Sequence, residues 1–231
     1  MKLYSNLKLR IIIFAALLII IPKMAVINAQ SIEIGVHADP SVGWFSSDNS
    51  KVTGKGINTG FNFGITVSKN FQEHYAFSTG LSLITAGGSL TGRDTTIYEL
   101  KNSRVEVLPE SKVVYKIKYL AIPVGIRLRS NEIGYITLFM DIGLDPKFVL
   151  GGKIEVPSQH IAKENANKEL KGLCVGYHVI GGIEYSLGGS TSIVLGFNFD
   201  SNFTDITKEN NTQPTDKILH KMLGLRLGLN F

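Results

Sequence analysis

The chain has 231 residues and a formal net charge of +5, with 24 basic and 19 acidic residues and one cysteine. This length is typical of a single domain, and a lone cysteine excludes an internal disulfide bond. After residue 30 no stretch approaches the 18 consecutive apolar residues of a membrane-spanning helix.

The N-terminal segment has the layout of a secretory signal peptide. Lys2, Lys8 and Arg10 precede an apolar run over residues 11–21, and Ala29 is a small residue suited to cleavage. We therefore predict a signal peptide over residues 1–29 and one domain over 30–231; an uncleaved signal anchor is the alternative. The predicted signal peptide holds four of the basic residues and no acidic one, so the remainder has a net charge of +1. That balance argues against nucleic acid as a partner.

Alternation of apolar with small or polar residues dominates the rest of the chain and predicts strands with two unlike faces. It is clearest at the C-terminus, where Leu223, Leu225, Leu227 and Leu229 alternate with glycine, Asn and Arg226. The predicted strands are 31–39, 57–67, 76–85, 113–129, 135–145, 173–187, 191–203 and 219–231. In 113–129 the apolar residues change parity beside Pro123, which suggests a bulge.

The connections between these strands alternate in length. Short ones are predicted at 68–75, 130–134 and 188–190, and long polar ones at 46–56, 91–112, 151–172 and 204–216. Short turns at one end and long loops at the other are typical of a transmembrane β-barrel. We therefore predict an all-β fold, an eight-stranded antiparallel up-and-down barrel in the outer membrane. A soluble barrel with its apolar face inward is the alternative, but the other face is rich in glycine, Asn and charge.

Three stretches carry a resemblance to a known family: YAFSTGL (75–81), YLAIPV (119–124) and GIEYSL (182–187). They resemble the outer-membrane β-barrel domain family that includes the PorT-like proteins, and YLAIPV is the most specific of them. The resemblance implies an eight-stranded outer-membrane barrel. One branch of that family is linked to protein secretion, so the resemblance allows a role as a component of a secretion system.

The polar face is the first candidate site. If this face lines the lumen, nine titratable residues point inward and form a polar network: Glu33, His37, Arg127, Asp141, His178, Glu184, Asp200, His220 and Arg226. An eight-stranded barrel is only wide enough for side chains to fill it, which favours a packed network over an open pore. Barrel closure predicts that Arg226 approaches Glu33 or His37.

We predict no cofactor, no metal site and no catalytic residue. Three inward histidines lack the short spacing of metal ligands, and His74 with Ser68 and Ser78 shows no catalytic arrangement. A non-enzymatic envelope protein is therefore predicted, with a narrow channel or a small lipid-modifying enzyme as alternatives. The expected partners are outer-membrane lipid, other envelope or secretion proteins, and the barrel-assembly machinery, for which the terminal Phe231 is the expected assembly signal.

Overall fold

The computed structural model describes residues 32–48, 51–99, 104–159, 161–208 and 217–231. The predicted signal peptide lies outside the described residues. Among the described residues, no helix is long and apolar enough to cross a bilayer. Thirteen strands account for most of the described chain: β1 (Ile32–Ser47), β2 (Val52–Gly54), β3 (Asn58–Gln72), β4 (Tyr75–Gly92), β5 (Thr96–Glu99), β6 (Arg104–Val107), β7 (Lys112–Ala121), β8 (Val124–Arg129), β9 (Ile136–Val156), β10 (Ile161–Asn165), β11 (Leu173–Gly188), β12 (Thr191–Asn202) and β13 (Ile218–Asn230).

Nine of these elements form eight wall strands that close into a ring. Each pairs antiparallel with its neighbours in the order β1, β3, β4, β7 with β8, β9, β11, β12 and β13, and β13 pairs back onto β1. β7 and β8 are two halves of one wall strand, since both pair with β4 and with β9. The predicted eight-stranded barrel is therefore confirmed.

An apolar band covers the outside of the barrel. Its members are large, well exposed and placed at alternate positions of the wall strands. They include Ile34, Phe61, Phe63, Ile65, Phe77, Leu81, Leu83, Ile126, Leu138, Met140, Ile142, Leu144, Leu195, Phe197, Leu223 and Leu225. So wide an exposed apolar surface is unfavourable in water. It is the surface expected of a closed barrel in a bilayer, where strand pairing satisfies the backbone and apolar side chains face the lipid.

The predicted bulge beside Pro123 is wrong. On both β4 and β9 the pairing of β7 continues into β8 in the same register, so Ala121 and Val124 keep their partners in step. Odd-numbered residues from Val113 to Arg127 face inward throughout. The chemistry of the interior changes at Pro123. The inward residues are apolar on the side of the long loops, which we call the upper end, and polar on the side of the short turns. The register shift lies instead in β9, at residues 149–150 opposite Lys118 and Tyr119.

The two ends of the barrel differ as predicted, although the strands run further than expected. At the short-turn end, β3 and β4 are joined by residues 73–74 alone because β3 extends to Gln72. Gly188 and Gly189 both take positive φ at the β11–β12 turn, as a tight hairpin requires. At the long-loop end β4 and β9 reach 18 and 21 residues, well beyond the roughly 10 that cross a bilayer.

The long loops fold back over the open end of the barrel. β2 pairs with β4, β10 pairs with β9, and β5 and β6 form a separate hairpin. Side chains of the loops pack onto the interior faces of β7 and β9 as one buried apolar cluster. An ion pair between Lys171 and Asp205 (2.8 Å) ties two of the loops together. We call the described residues of this folded end, 93–99, 104–111, 157–159, 161–172 and 203–208, the cap.

Candidate functional site

The interior of the barrel is the candidate site. All nine predicted residues lie at inward positions of the wall strands, and eight of them are buried. Glu33, nearest the short-turn end, is partly exposed. The glycines and small residues that alternate with them leave room for these long polar side chains.

An ion-pair chain begins at the short-turn end. Arg129 holds Glu33 through two hydrogen bonds, one of 2.7 Å from Nη1 and a second from Nη2. Arg129 Nε also lies 3.1 Å from Glu184. Arg127 Nη1 donates to the same Glu184 at 3.3 Å, and its Nε donates to Asp141 at 3.2 Å. Two guanidinium groups of β8 therefore alternate with three carboxylates, one each from β1, β9 and β11.

The chain continues upward through a histidine. His178 lies between two carboxylates, with Nε2 3.3 Å from Asp141 and Nδ1 2.8 Å from Asp145. One layer above, Lys147 donates to Asp200 at 2.5 Å. Each of these five side chains is buried, so each depends on its neighbours in place of water.

A second group forms around Asp39 on β1. Arg226 donates to both oxygens of Asp39, at 2.8 Å from Nη2 and 3.2 Å from Nε. His37 and Asn62 also bond this carboxylate, each at 3.2 Å. The prediction that Arg226 approaches Glu33 is therefore wrong, and its approach to His37 is indirect, because both side chains bond Asp39. The β1–β13 register places Arg226 opposite Asp39, while Glu33 is taken by Arg129.

The network has more carboxylates than fixed cations. The carboxylates are Glu33, Asp39, Asp141, Asp145, Glu184 and Asp200. The fixed cations are Arg127, Arg129, Lys147 and Arg226. His37 and His178 both bond carboxylates, so protonation of the two would bring the network to neutrality. A packed ionic interior of this kind is satisfied as a unit and costly to break singly.

Above the network the interior is apolar and closed. His220, which was predicted to belong to the polar network, lies here between aromatic rings instead. Its ring centroid is 5.3 Å from that of Phe45 and 6.0 Å from that of Tyr119. Phe45 meets Tyr115 edge-on at 5.7 Å. We call this group the apolar plug: Phe45, Val113, Tyr115, Ile117, Tyr119, Ile154, Leu170, Ile206, His220 and Met222.

The space left inside is small. One cavity of about 30 Å³ lies within the network, lined by His37, Ser82, Asp141, His178 and Arg226 among others. That is room for about two water molecules. The buried side chains of the network and of the plug therefore pack closely around this cavity and above it.

One corner of this cavity has the order of groups found in serine hydrolases. Ser82 Oγ lies 3.3 Å from His37 Nε2, and His37 Nδ1 lies 3.2 Å from Asp39. Ser82 is buried, and the cavity beside it cannot hold an ester of any useful size. Asp39 is also occupied by Arg226. Nucleophilic catalysis needs a substrate within reach of the nucleophile. We therefore assign Ser82, His37 and Asp39 to the packed network.

The serines and histidine considered from the sequence do not form a catalytic group. Ser68 and Ser78 face each other across β3 and β4 in the interior, and Ser78 donates to Asp141 at 2.9 Å. His74 lies in the short turn beyond them. Among the described residues, no group of three or more His, Cys, Asp or Glu is arranged to hold a metal ion.

Four charged members of the network were not predicted from the sequence. They are Asp39, Arg129, Asp145 and Lys147. Each occupies the inward parity of its strand, so the alternation alone could have found them. Asp39 lies beside Pro40 where the predicted strand ended, and Lys147 lies past the predicted end of the β9 segment.

Phe231 follows β13 and lies on the outer face with half of its surface exposed. Its backbone N–H donates to the carbonyl of Ile34 at 2.8 Å, and its carbonyl accepts from Ile34 at 3.2 Å. The terminal residue is thus bonded into the seam between the last and first strands.

Comparison with known proteins gives one family and several structural neighbours. The sequence matches the family described as outer membrane protein beta-barrel domain over residues 28–230. No curated protein matches the chain in sequence. Neisserial surface protein A is 12% identical, with 85% of this chain and 95% of that chain covered and a TM-score of 0.49. OprG from Pseudomonas aeruginosa is 8% identical, with 87% and 95% covered and a TM-score of 0.47. Ail of Yersinia pestis, crystallised with sucrose octasulfate, is 12% identical, with 87% and 99% covered and a TM-score of 0.42.

Proposed function

Because the chain belongs to the family of outer membrane protein β-barrel domains, and so lies in an outer membrane, we propose that it is a sealed, non-enzymatic binding barrel. In this proposal the wall anchors the protein in the bilayer and the cap presents a folded surface to other envelope components. The observation that carries the proposal is the packing of buried network and plug side chains across the interior, around a cavity of about 30 Å³.

The cap supports a binding role because it is built as a folded surface. Ala166, Leu170 and Ile206 from two long loops are buried with the apolar plug. The β5–β6 hairpin is tied down where Gln159 donates to the carbonyl of Glu106 at 3.1 Å. Long loops held rigidly on a scaffold are the parts of a fold that most often bind partners.

A component of a secretion assembly is the narrower form of this proposal, supported by the resemblance to PorT-like proteins. Its most specific stretch, residues 119–124, has a structural role here. Tyr119 packs on His220 in the plug, and the carbonyl of Pro123 accepts a bond from Thr79 at 3.0 Å. The stretch marks the change from apolar to polar interior, so it supports the fold more directly than the secretion role.

The first test concerns the seal. In planar bilayers the purified barrel is expected to give no stepwise conductance, because ion pairs and the plug occupy the whole interior. The double substitution Tyr115→Ala, Tyr119→Ala removes two large rings of the apolar plug. It should give no conductance either, since the ionic network below the plug remains. Regular conductance steps from the unaltered protein would contradict the proposal and favour a narrow channel.

The second test concerns the cap. Replacement of residues 94–109 by a short Gly-Ser linker is expected to leave the barrel folded, because the wall strand β4 ends at Gly92 and the next wall strand begins at Lys112. Proteins captured by in vivo cross-linking from cap positions should be lost in this variant. A matched variant that lengthens the short turn at residues 131–132 should keep them. Identical cross-linked products from all three proteins would contradict a binding role for the cap.

A further inference from the structure

Three lysines form a compact cationic group on the outside of the wall. Lys116 and Lys118 occupy neighbouring outward positions of β7, and Lys153 occupies an outward position of β9. All three are exposed, and Lys116 is paired directly with Lys153 across the two strands. Residues opposed in this way have Cβ atoms about 4.5–5.5 Å apart, so the three ammonium groups can converge on one small ligand.

The group lies at the upper edge of the apolar band. Leu120 is the next outward residue below Lys118 on β7, and it pairs with Phe148 of β9. On the adjacent strand Leu83, half exposed, pairs with Leu120, and Thr85 pairs with Lys118. The lipid-facing apolar side chains and the three lysines therefore occupy adjacent outward positions, so the group marks the boundary of the apolar band.

In the described part of the chain, the group forms no ion pair of its own. No ion pair involves Lys116, Lys118 or Lys153 among the described residues. The nearest outward acid on these strands, Glu155, pairs with Val114, and no ion pair joins it to the lysines. Like charges placed directly opposite on neighbouring strands are destabilising, so an anion bound between them would relieve a repulsion that the fold leaves in place.

We infer that Lys116, Lys118 and Lys153 form a binding site for the phosphate groups of the outer-leaflet glycolipid. The long-loop end faces outward in barrels of this architecture, so the edge of the band at this end lies at the level of the outer headgroups. Lysine ammonium groups are compact, strongly hydrated charges that bind phosphate. Acyl chains would lie on Leu120, Phe148 and Leu83 below while the phosphates contact the lysines above.

The test uses the full chain in detergent micelles and native mass spectrometry. Bis-phosphorylated lipid A is titrated against the unaltered protein and against the triple variant Lys116→Gln, Lys118→Gln, Lys153→Gln. Since each basic residue near a charged headgroup strengthens binding about fivefold, the triple variant is expected to bind on the order of 100-fold more weakly. Heat modifiability on a gel verifies that both proteins are folded.

Two comparisons make the result specific. The variant Arg93→Gln, Lys168→Gln, Lys208→Gln removes the same charge from exposed positions of the long-loop end and is expected to bind as the unaltered protein does. Lipid A stripped of phosphate should bind as weakly to the unaltered protein as intact lipid A binds to the triple variant. Equal binding by both triple variants, or equal binding of phosphatidylglycerol and lipid A to the unaltered protein, would overturn the assignment. Neither result bears on the sealed interior or on the cap.

Discussion

Replacement of Arg127 by Met is expected to lower the free energy of unfolding by about 3–5 kcal/mol, the usual cost of removing one partner from a buried ion pair. Arg127 is 2% exposed and bonds both Asp141 and Glu184. Its guanidinium also lies 5.2 Å from the ring centroid of Phe139. Met occupies a similar volume, so the loss reports the two buried carboxylates deprived of the Arg127 guanidinium, although Glu184 keeps Arg129 and Asp141 keeps His178. The measurement is urea unfolding in lipid vesicles, monitored on a gel by the difference in electrophoretic mobility between folded and unfolded protein.

Arg93→Met is the matched control, because Arg93 is an exposed residue of the cap, and its cost should stay within about 0.5 kcal/mol. A second variant tests the network. Glu184→Gln removes one of the two carboxylates that Arg127 bonds, so the double variant Arg127→Met, Glu184→Gln should lose less than the sum of the two single variants. Additive losses would show that Arg127 and Glu184 act independently. A cost for Arg127→Met equal to that of the control would contradict the buried network altogether.

The sequence largely predicts which residues of this network face inward. It does not predict which of them form ion pairs with one another. Alternation within one strand places Arg127, Asp141 and Glu184 on the same face without any knowledge of their neighbours. Their contacts depend on the register between strands far apart in the chain, and Glu33 and Arg129 are separated by 96 positions. A shift of two residues would preserve every inward face and change every ion pair. That is why Arg226 was expected beside Glu33 or His37 and lies against Asp39.

The apolar plug shows where alternation is ambiguous. Apolar residues are favoured on the outward face where the exterior is hydrocarbon. Val113, Tyr115 and Ile117 lie above the apolar band, and there three of the four outward positions of β7 hold lysine (Lys112, Lys116 and Lys118) while these three apolar side chains turn inward. The sequence records this exchange of faces as a change of parity, which is also the signature of a bulge. Only the height of the strand relative to the bilayer separates the two interpretations.

Replacement of Gly182 by Val is expected to prevent the barrel from closing properly, at a cost on the order of 3 kcal/mol or more. A Cβ at this position would lie 2.1 Å from the carbonyl oxygen of Leu195 and 2.6 Å from the Cα of Gly196. Both are backbone atoms of β12, which pairs Gly196 directly with Gly182. Since backbone cannot turn aside as a side chain can, the strands must separate and the inter-strand hydrogen bonds there must stretch or break.

The adjacent Gly181 supplies the control within the same strand. A Cβ at Gly181 meets nothing within 4 Å, because this residue faces the outside, so Gly181→Val should be close to neutral. Val also favours strand conformation and suits a lipid-facing position. Refolding into vesicles, read as the fraction of heat-modifiable barrel, should therefore be normal for Gly181→Val and strongly reduced for Gly182→Val. Equal yields would mean that β11 and β12 do not approach as closely as described. A greater loss at Gly181 would reverse the assignment of inner and outer faces on which the lipid-facing band and the enclosed network both depend.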